Sequence, residues 1–384
     1  MHSTSPSANG VAMVIGVPKE IKEAESRVAI IPAGVQALRA HGHRVLIQRG
    51  AGVGSGLPDE TYARAGAELV GDPSMIYGEA DLIYKVKEPS PPECEMLREG
   101  QVLFTFLHLA PTPELTKRLL ARRVVAVAYE TVETPEGRKP LLEPMSEIAG
   151  RMAIHIGAYY LATPHGGRGV LIGGVPGVPP ATVVILGGGT VGANAAKVAA
   201  GMGAWVYLLD VDQARMRYLD EILPENVTTL ISNQMSIEEC VKRADILIGA
   251  VYVSGARAPK LVTGEMVTLM KPGSVIVDVA VDQGGCIETS RPTSHSDPVY
   301  VVDGILHYCV ANMPGAFART STFALTNVTL PYVLRLADSG WRRAILECPE
   351  LSLGLNVALG HVTHPAVAEA HGLAYLPPLQ VAKG

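Results

Sequence analysis

The run Gly187-Gly188-Gly189-Thr190-Val191-Gly192 limits what this chain can fold into more than any other stretch. Glycine turns are common, so G-x-G-x-x-G spacing alone says little. Here the run directly follows an apolar segment, TVVIL at 182–186, and opens a helical one, TVGANAAKVAAGMG at 190–203. The next apolar segment ends in Asp210, 18 residues after Gly192. Strand, glycine turn, helix and a second strand closed by a carboxylate form the context that a dinucleotide fingerprint requires. The glycines let the backbone approach a pyrophosphate. The helix N-terminus offers unpaired N–H groups and the positive end of a dipole, and the carboxylate takes ribose hydroxyls. The charge of Asp210 favours NAD over NADP by repelling a 2′-phosphate, while Arg215, five residues on, works against that preference.

The same alternation fills the rest of the chain. VIGV (14–17), VLIQ (45–48), DLIYKV (81–86), QVLFTFL (101–107) and VVAVAYE (124–130) read as strands, with helices at 32–42, near 58–66 and at 112–123. After the glycine run come AWVYLLD (204–210), VTTLI (227–231), DILIGA (245–250) and SVIVDVA (274–280), and VYVVDG (299–304) and HYCVA (307–311) add two more. Near-continuous Val/Ile/Leu strands between helices predict parallel sheets covered on both faces. Two segments read as long helices: 146–163, with Ser146 as its N-cap, and 320–341, kinked at Pro331. The fold class expected is α/β, with two doubly wound Rossmann-like domains joined by the long helices and a cleft between them. Residues 1–12 read as a disordered extension. Residues 13–140 with 319–384 form a discontinuous substrate domain, the C-terminal segment being too short for its own, and 141–318 form the cofactor domain.

Composition closes off other classes. With 48% apolar and 18% charged residues the chain is no disordered protein, and 384 residues bury a core without crosslinks. A formal charge of −5 with no basic tract removes the electrostatic footprint of a nucleic-acid partner. The five cysteines are widely spaced with no C-x-x-C, which argues against zinc or a disulfide framework and for a reducing, cytoplasmic compartment. The long uncharged stretch from Gly169 to Ala196 carries Pro176, Pro179 and Pro180, which argues against a membrane span.

Substrate determinants are expected in the first domain, at the C-terminal ends of strands, where open α/β sheets bind ligands. Arg27 follows the first strand, Lys85 and Lys87 interrupt DLIYKVKEP, and His108 ends VLFTFLHLA. Together they suggest a small anion, with Arg clamping a carboxylate. Each also has a plain structural reading: a surface cation at Arg27, a lysine paired with Glu20 or Glu88, a satisfied buried histidine at 108. In the cofactor domain, Asp278 and Asp282 flank DVAVDQGG; either carboxylate could face the His, and Asp278 could equally be structural.

At this point VIGVPKEIKEAESRVAIIPAGV, KVKEP, LFTFLHLA, YETV, PMSEIAGR, GGRGVLIGGVPGV, the glycine run, DQGGC and VANMPG, in this order and spacing, resemble the alanine dehydrogenase family from about Met13 to at least Leu336. The scaffold is shared more distantly with the NAD-binding subunit of proton-translocating transhydrogenase and with lysine-forming saccharopine dehydrogenase. The resemblance implies that Arg27 and Lys87 hold the substrate carboxylate and carbonyl, that His108 is the acid/base and that Asp282 is the second catalytic group. It implies that Gly187, Gly189, Val191 and Gly192, with Asp210 and Arg215, hold the adenosine side of NAD. Ser146, Ser232, Asn312 and Met313 match other NAD-contacting positions.

The implied reaction is the reversible oxidative deamination of L-alanine to pyruvate and ammonium. Imidazole suits the proton transfers because it titrates near neutrality. No metal is called for, since the cofactor carries the hydride and the side chains carry protons and charge. A homohexamer is also implied. Two other readings stay open. A transhydrogenase subunit would need a membrane partner but not the Arg/Lys/His set, and a non-catalytic NAD sensor could lose His108 or Asp282 without penalty. Saccharopine-type chemistry would need a larger pocket beside Arg27.

Overall fold

The computed structural model describes residues 12–251 and 258–384, so the extension expected over 1–12 lies, but for its last residue, outside the described residues. The chain divides into two compact units: residues up to Pro144 with Phe317–Gly384, and Met145–Ala316. The first unit carries β1 (Val14–Val17), β2 (Arg44–Gln48), β3 (Glu68–Val70), β4 (Leu82–Tyr84), β5 (Val102–Thr105) and β6 (Val125–Ala128). They pair in parallel in the order β3-β2-β1-β4-β5-β6. The C-terminal segment adds Leu355–Ala358, antiparallel to β6, and a short outer strand, His361–Val362.

The inner strands are apolar along their middles because both faces are covered. On β5, Leu103 enters one cluster with Ile83 and Ala126. Its neighbour Phe104 points the other way and meets Tyr129 edge-on at 4.5 Å. KVKEP is not strand: β4 stops at Tyr84, and both lysines stand in the segment beyond it.

The second unit repeats the order. It carries β7 (Thr182–Leu186), β8 (Trp205–Asp210), β9 (Val227–Ile231), β10 (Ile246–Gly249), β11 (Val275–Asp278), β12 (Val299–Val302) and β13 (Ile305–Tyr308). The sheet reads β9-β8-β7-β10-β11-β13, parallel, with β12 added antiparallel at the edge. Val183 and Ile185 of β7 pack into one apolar cluster, and Val184 and Leu186 into the cluster on the opposite face. In both sheets the order reverses beside the first strand, between β1 and β4 and between β7 and β10. Such a switch point parts the loops at the strands' C-terminal ends, where α/β sheets take ligands.

Two helix expectations need correction. The helix read as starting at Ser146 spans Glu143–Tyr160, so Ser146 lies inside its first turn rather than at the cap. Pro144 explains this: in a first turn its missing N–H costs nothing and its φ is already helical. The long helix spans Ala318–Glu347 with Pro331 inside it, and the residue that leaves helical geometry is Gly340, at φ 72° and ψ 155°. A glycine enters that region without a Cβ clash, so the break falls there.

Candidate active site

The glycine loop divides its work by position. Gly187, at φ 100°, makes the turn out of β7, and a Cβ there would stand 2.9 Å from the Ala250 carbonyl oxygen. Gly192 lets the helix Thr190–Gly201 sit against the turn: a Cβ would lie 1.8 Å from the Gly187 carbonyl oxygen. Gly189 differs. A Cβ there meets nothing within 4 Å, so no protein neighbour requires a glycine. Open space at the middle glycine, at the N-terminus of a 12-residue helix, fits a pyrophosphate drawn close to the backbone.

Asp210, Arg215 and Ser232 gather around this turn. Asp210 ends β8, and its carboxylate accepts from Gly188 N at 2.5 Å and from Asp212 N at 2.9 Å. Arg215 donates from Nε to the Gly188 carbonyl at 2.7 Å, and Ser232 N donates to the Asp210 carbonyl at 2.9 Å. Ser146 lies one turn before Gly150, where a Cβ would meet the Val191 carbonyl oxygen at 2.1 Å, so the helix carrying Ser146 is seated against the glycine loop. Asn312 is left-handed, at φ 57°, and its N–H donates to Asp282 Oδ2 at 3.4 Å. Met313 is buried in the unit's core. Asp282 is exposed, on the short turn Val279–Gln283, whereas Asp278 is fully buried and burial pushes its carboxyl above the usual range. The two aspartates therefore stand in opposite surroundings.

In the first unit the cationic positions follow β1, β4 and β5, around the switch point. Arg27 is 2% exposed, and Glu25 grips one edge of its guanidinium through Nε (2.7 Å) and Nη2 (2.5 Å). Among the described residues no ion pair holds the Lys87 ammonium. Burial pulls its pKa down, and the neighbouring Arg27 charge lowers it further. Lys85, two residues earlier, is structural. Its buried ammonium lies 2.7 Å from Glu93 and 3.2 Å from Glu20, and those carboxylates overcome the burial that would otherwise neutralise it. The lysine that pairs with Glu20 is thus Lys85.

His108 stands three residues past β5 with a left-handed backbone, φ 49°. That conformation costs a non-glycine residue about 1–2 kcal/mol and persists only where the surroundings hold it. Glu130, just past β6, does so: Oε1 accepts from His108 N at 2.6 Å and Leu107 N donates to the same carboxylate at 3.3 Å. The same oxygen lies 3.9 Å from His108 Nδ1, and the imidazole stacks parallel to Phe106. The ring is half-exposed, so the reading of a satisfied buried histidine does not apply.

Sequence reasoning gave no role to Glu25 or Glu130. Glu130 ends the apolar run VVAVAYE, the same signal that singled out Lys85 and His108. Glu25 has no such mark, because an acid two residues from an Arg pairs with it only if the loop bends them together. No group of three or more His, Cys, Asp or Glu positioned for a metal ion occurs among the described residues.

Comparison with known proteins identifies the family of the chain. The family description "Alanine dehydrogenase/PNT, N-terminal domain" matches residues 16–149, and its C-terminal counterpart matches residues 153–365. Over 366 residues the chain is 58% identical to an alanine dehydrogenase from Methanococcus maripaludis, covering 95% of this chain and 98% of that one. A solved structure of an L-alanine dehydrogenase matches with a TM-score of 0.91 at 50% identity, over 94% of this chain and 99% of the other. A crystal structure of transhydrogenase from Sinorhizobium meliloti matches at 0.78 with 26% identity, over 92% and 99%. With both halves matched by one family and identity above one half along nearly the whole length, this chain belongs to the alanine dehydrogenase/PNT family.

Proposed function

We infer that this chain catalyses the reversible NAD-dependent oxidative deamination of L-alanine to pyruvate and ammonium. The observation that carries the reading is the near-full-length identity to alanine dehydrogenases. The transhydrogenase is a distant relative by comparison.

Bound NAD supplies the acceptor for the Cα hydride of the amino acid. Gly187, Gly189, Val191 and Gly192 would cradle its pyrophosphate, Asp210 and Arg215 its adenosine side, and Ser146, Ser232, Asn312 and Met313 the remainder. Arg27 holds the substrate carboxylate. Because Glu25 already fixes one edge of the guanidinium, its orientation is set before substrate arrives, and orientation of this kind is worth several kcal/mol, roughly. The Lys87 ammonium stabilises negative charge on the carbonyl or carbinolamine oxygen. His108 takes a proton from the water that adds to the iminium carbon and returns one as ammonia departs. Glu130 supports this role by holding the His108 backbone in its left-handed conformation. Asp282 holds the attacking water or ammonia.

The same reading takes the working form to be a homohexamer in the cytoplasm. Five free, buried cysteines accord with a reducing compartment. Among the described residues no helix is long and apolar enough to cross a membrane.

The test is an assay of the purified protein alone. NADH oxidation should require pyruvate and ammonium together, and NAD reduction should require L-alanine. Hydride exchange between nucleotides without either substrate, in a protein that binds NADH, would overturn the reading.

A further inference from the structure

Asp278 has no part in the chemistry above, yet it is fully buried at the end of β11, and the backbone N–H groups it accepts from belong to the loop that carries Asp282. Oδ1 accepts from Ala280 N at 3.1 Å and lies 3.8 Å from the Cys286 thiol. Oδ2 accepts from Cys286 N at 3.0 Å and from Ile287 N at 3.3 Å. One carboxylate thus takes N–H groups from both ends of the loop 279–287. Two glycines exist to let backbone close over it. A Cβ on Gly285 would stand 2.6 Å from Oδ2, and one on Gly249, at the end of β10, 2.6 Å from Oδ1. Between these anchors the chain makes the turn Val279–Gln283, with Asp282 exposed at its crown.

We propose that Asp278 is a positioning residue for the reaction, holding the loop 279–287 so that Asp282 stands where it can bind the attacking water or ammonia. The inference rests on the role given to Asp282 above and adds the group through which that role is set. The requirement is for acceptors alone. Both oxygens receive backbone N–H groups, so an amide in place of the carboxylate would set its NH2 against a donor whichever way it turned. At least one anchor is then lost, and the loop is free to shift by a fraction of an ångström or more. Misplacement of about 1 Å is enough to cost roughly 100-fold in rate.

The test is a double-mutant cycle on the purified enzyme, with Asp278→Asn, Asp282→Asn and the pair, each measured for kcat and for the KM of pyruvate and NADH. The D278N variant should lose about 10- to 100-fold in kcat with the KM for NADH within twofold of the parent. In the D282N background the same substitution should cost less than twofold, because a residue acting through Asp282 has nothing left to position. If the two losses multiply instead, Asp278 acts independently and the proposal fails. If D278N does not fold, Gly285→Ala replaces it in the cycle, since its Cβ displaces Oδ2 with the carboxylate kept. Full activity in D282N alone would remove the reading of Asp282, and this inference with it, an outcome distinct from multiplicative losses.

Discussion

The two units run the same strand order and put their ligand loops at the same kind of switch point, yet they build those loops from opposite materials. In the second unit the loop after β7 is made by leaving side chains out. Gly187 and Gly192 are glycine because backbone oxygens stand 2.9 Å and 1.8 Å from where a Cβ would be, whereas open space surrounds the Cβ position of Gly189. In the first unit the loops after β1, β4 and β5 carry long charged groups, and carboxylates hold them in place. Glu25 grips Arg27, Glu130 braces His108, and Glu20 accepts from Val86 N at 2.7 Å just ahead of Lys87. One sheet therefore offers backbone N–H groups and a helix end, which suit a cofactor's phosphates. The other offers side-chain charge and a titratable ring, which suit a small acid and its protons. The fold supplies the place, and the loop chemistry decides the function.

The sharpest way to break that division is His108→Ala. If catalysis belongs to the first unit's side chains and cofactor binding to the second unit's backbone, turnover should fall by about 10²–10⁴-fold. NADH affinity, measured by fluorescence titration, should stay within twofold. A variant that loses NADH binding to the same degree as turnover would show that the two functions are not separable.

A smaller effect tests the second unit from within. Gly192→Ala presses a Cβ onto a backbone oxygen that cannot give way, so it should destabilise the protein by about 1–3 kcal/mol and lower Tm with or without ligand. Gly189→Ala should lower the ligand-free Tm by much less than Gly192→Ala, because the space is open and only the N-cap preference for glycine is lost. Its main cost should appear on binding, as a rise in the Kd for NADH of about tenfold, or 1.4 kcal/mol. Equal Tm losses in both variants would mean that the middle glycine serves packing and not the ligand.

Much of this was legible in the sequence, and the reasons differ by residue. The doubly wound sheets were readable because fully buried parallel strands must be apolar on both faces, as Val183 to Leu186 are. Lys85, Lys87 and His108 just past strands were readable because charge is conspicuous where an apolar run stops, and Arg27 by its place in the loop after β1. What each charge pairs with was not. The Glu25–Arg27 clamp depends on how a loop bends, and the assignment of Glu20 and Glu93 to Lys85 rather than Lys87 depends on which lysine turns inward. The helix ends misled for a related reason. Ser146 is a good cap in isolation, but Pro144 starts the helix ahead of it; Pro331 is a likelier break than Gly340 by residue type, but only Gly340 takes a positive φ. The left-handed backbone of His108 carries no mark in the sequence, because it is imposed from outside by Glu130.

The mildest test concerns the ammonium that burial and Arg27 depress. Lys87 lies among Arg27, Lys22, Glu88 and Glu25, with burial and the cations lowering its pKa against the two acids. The sign follows directly. A folded-state value below the ordinary 10.5 means that the ammonium loses its proton at a lower pH than a free lysine would, so a rate that needs the charge should fall on the alkaline side before pH 10.5 is reached. Lys87→Arg keeps the charge, because a guanidinium stays protonated throughout that range. It should lose only a few-fold in kcat/KM at neutral pH, since a fork replaces a point charge, but its alkaline limb should move up or disappear. An alkaline limb unchanged in Lys87→Arg would assign that titration to another group. Lys87 would then serve binding only, and the first unit's chemistry would rest on Arg27 and His108.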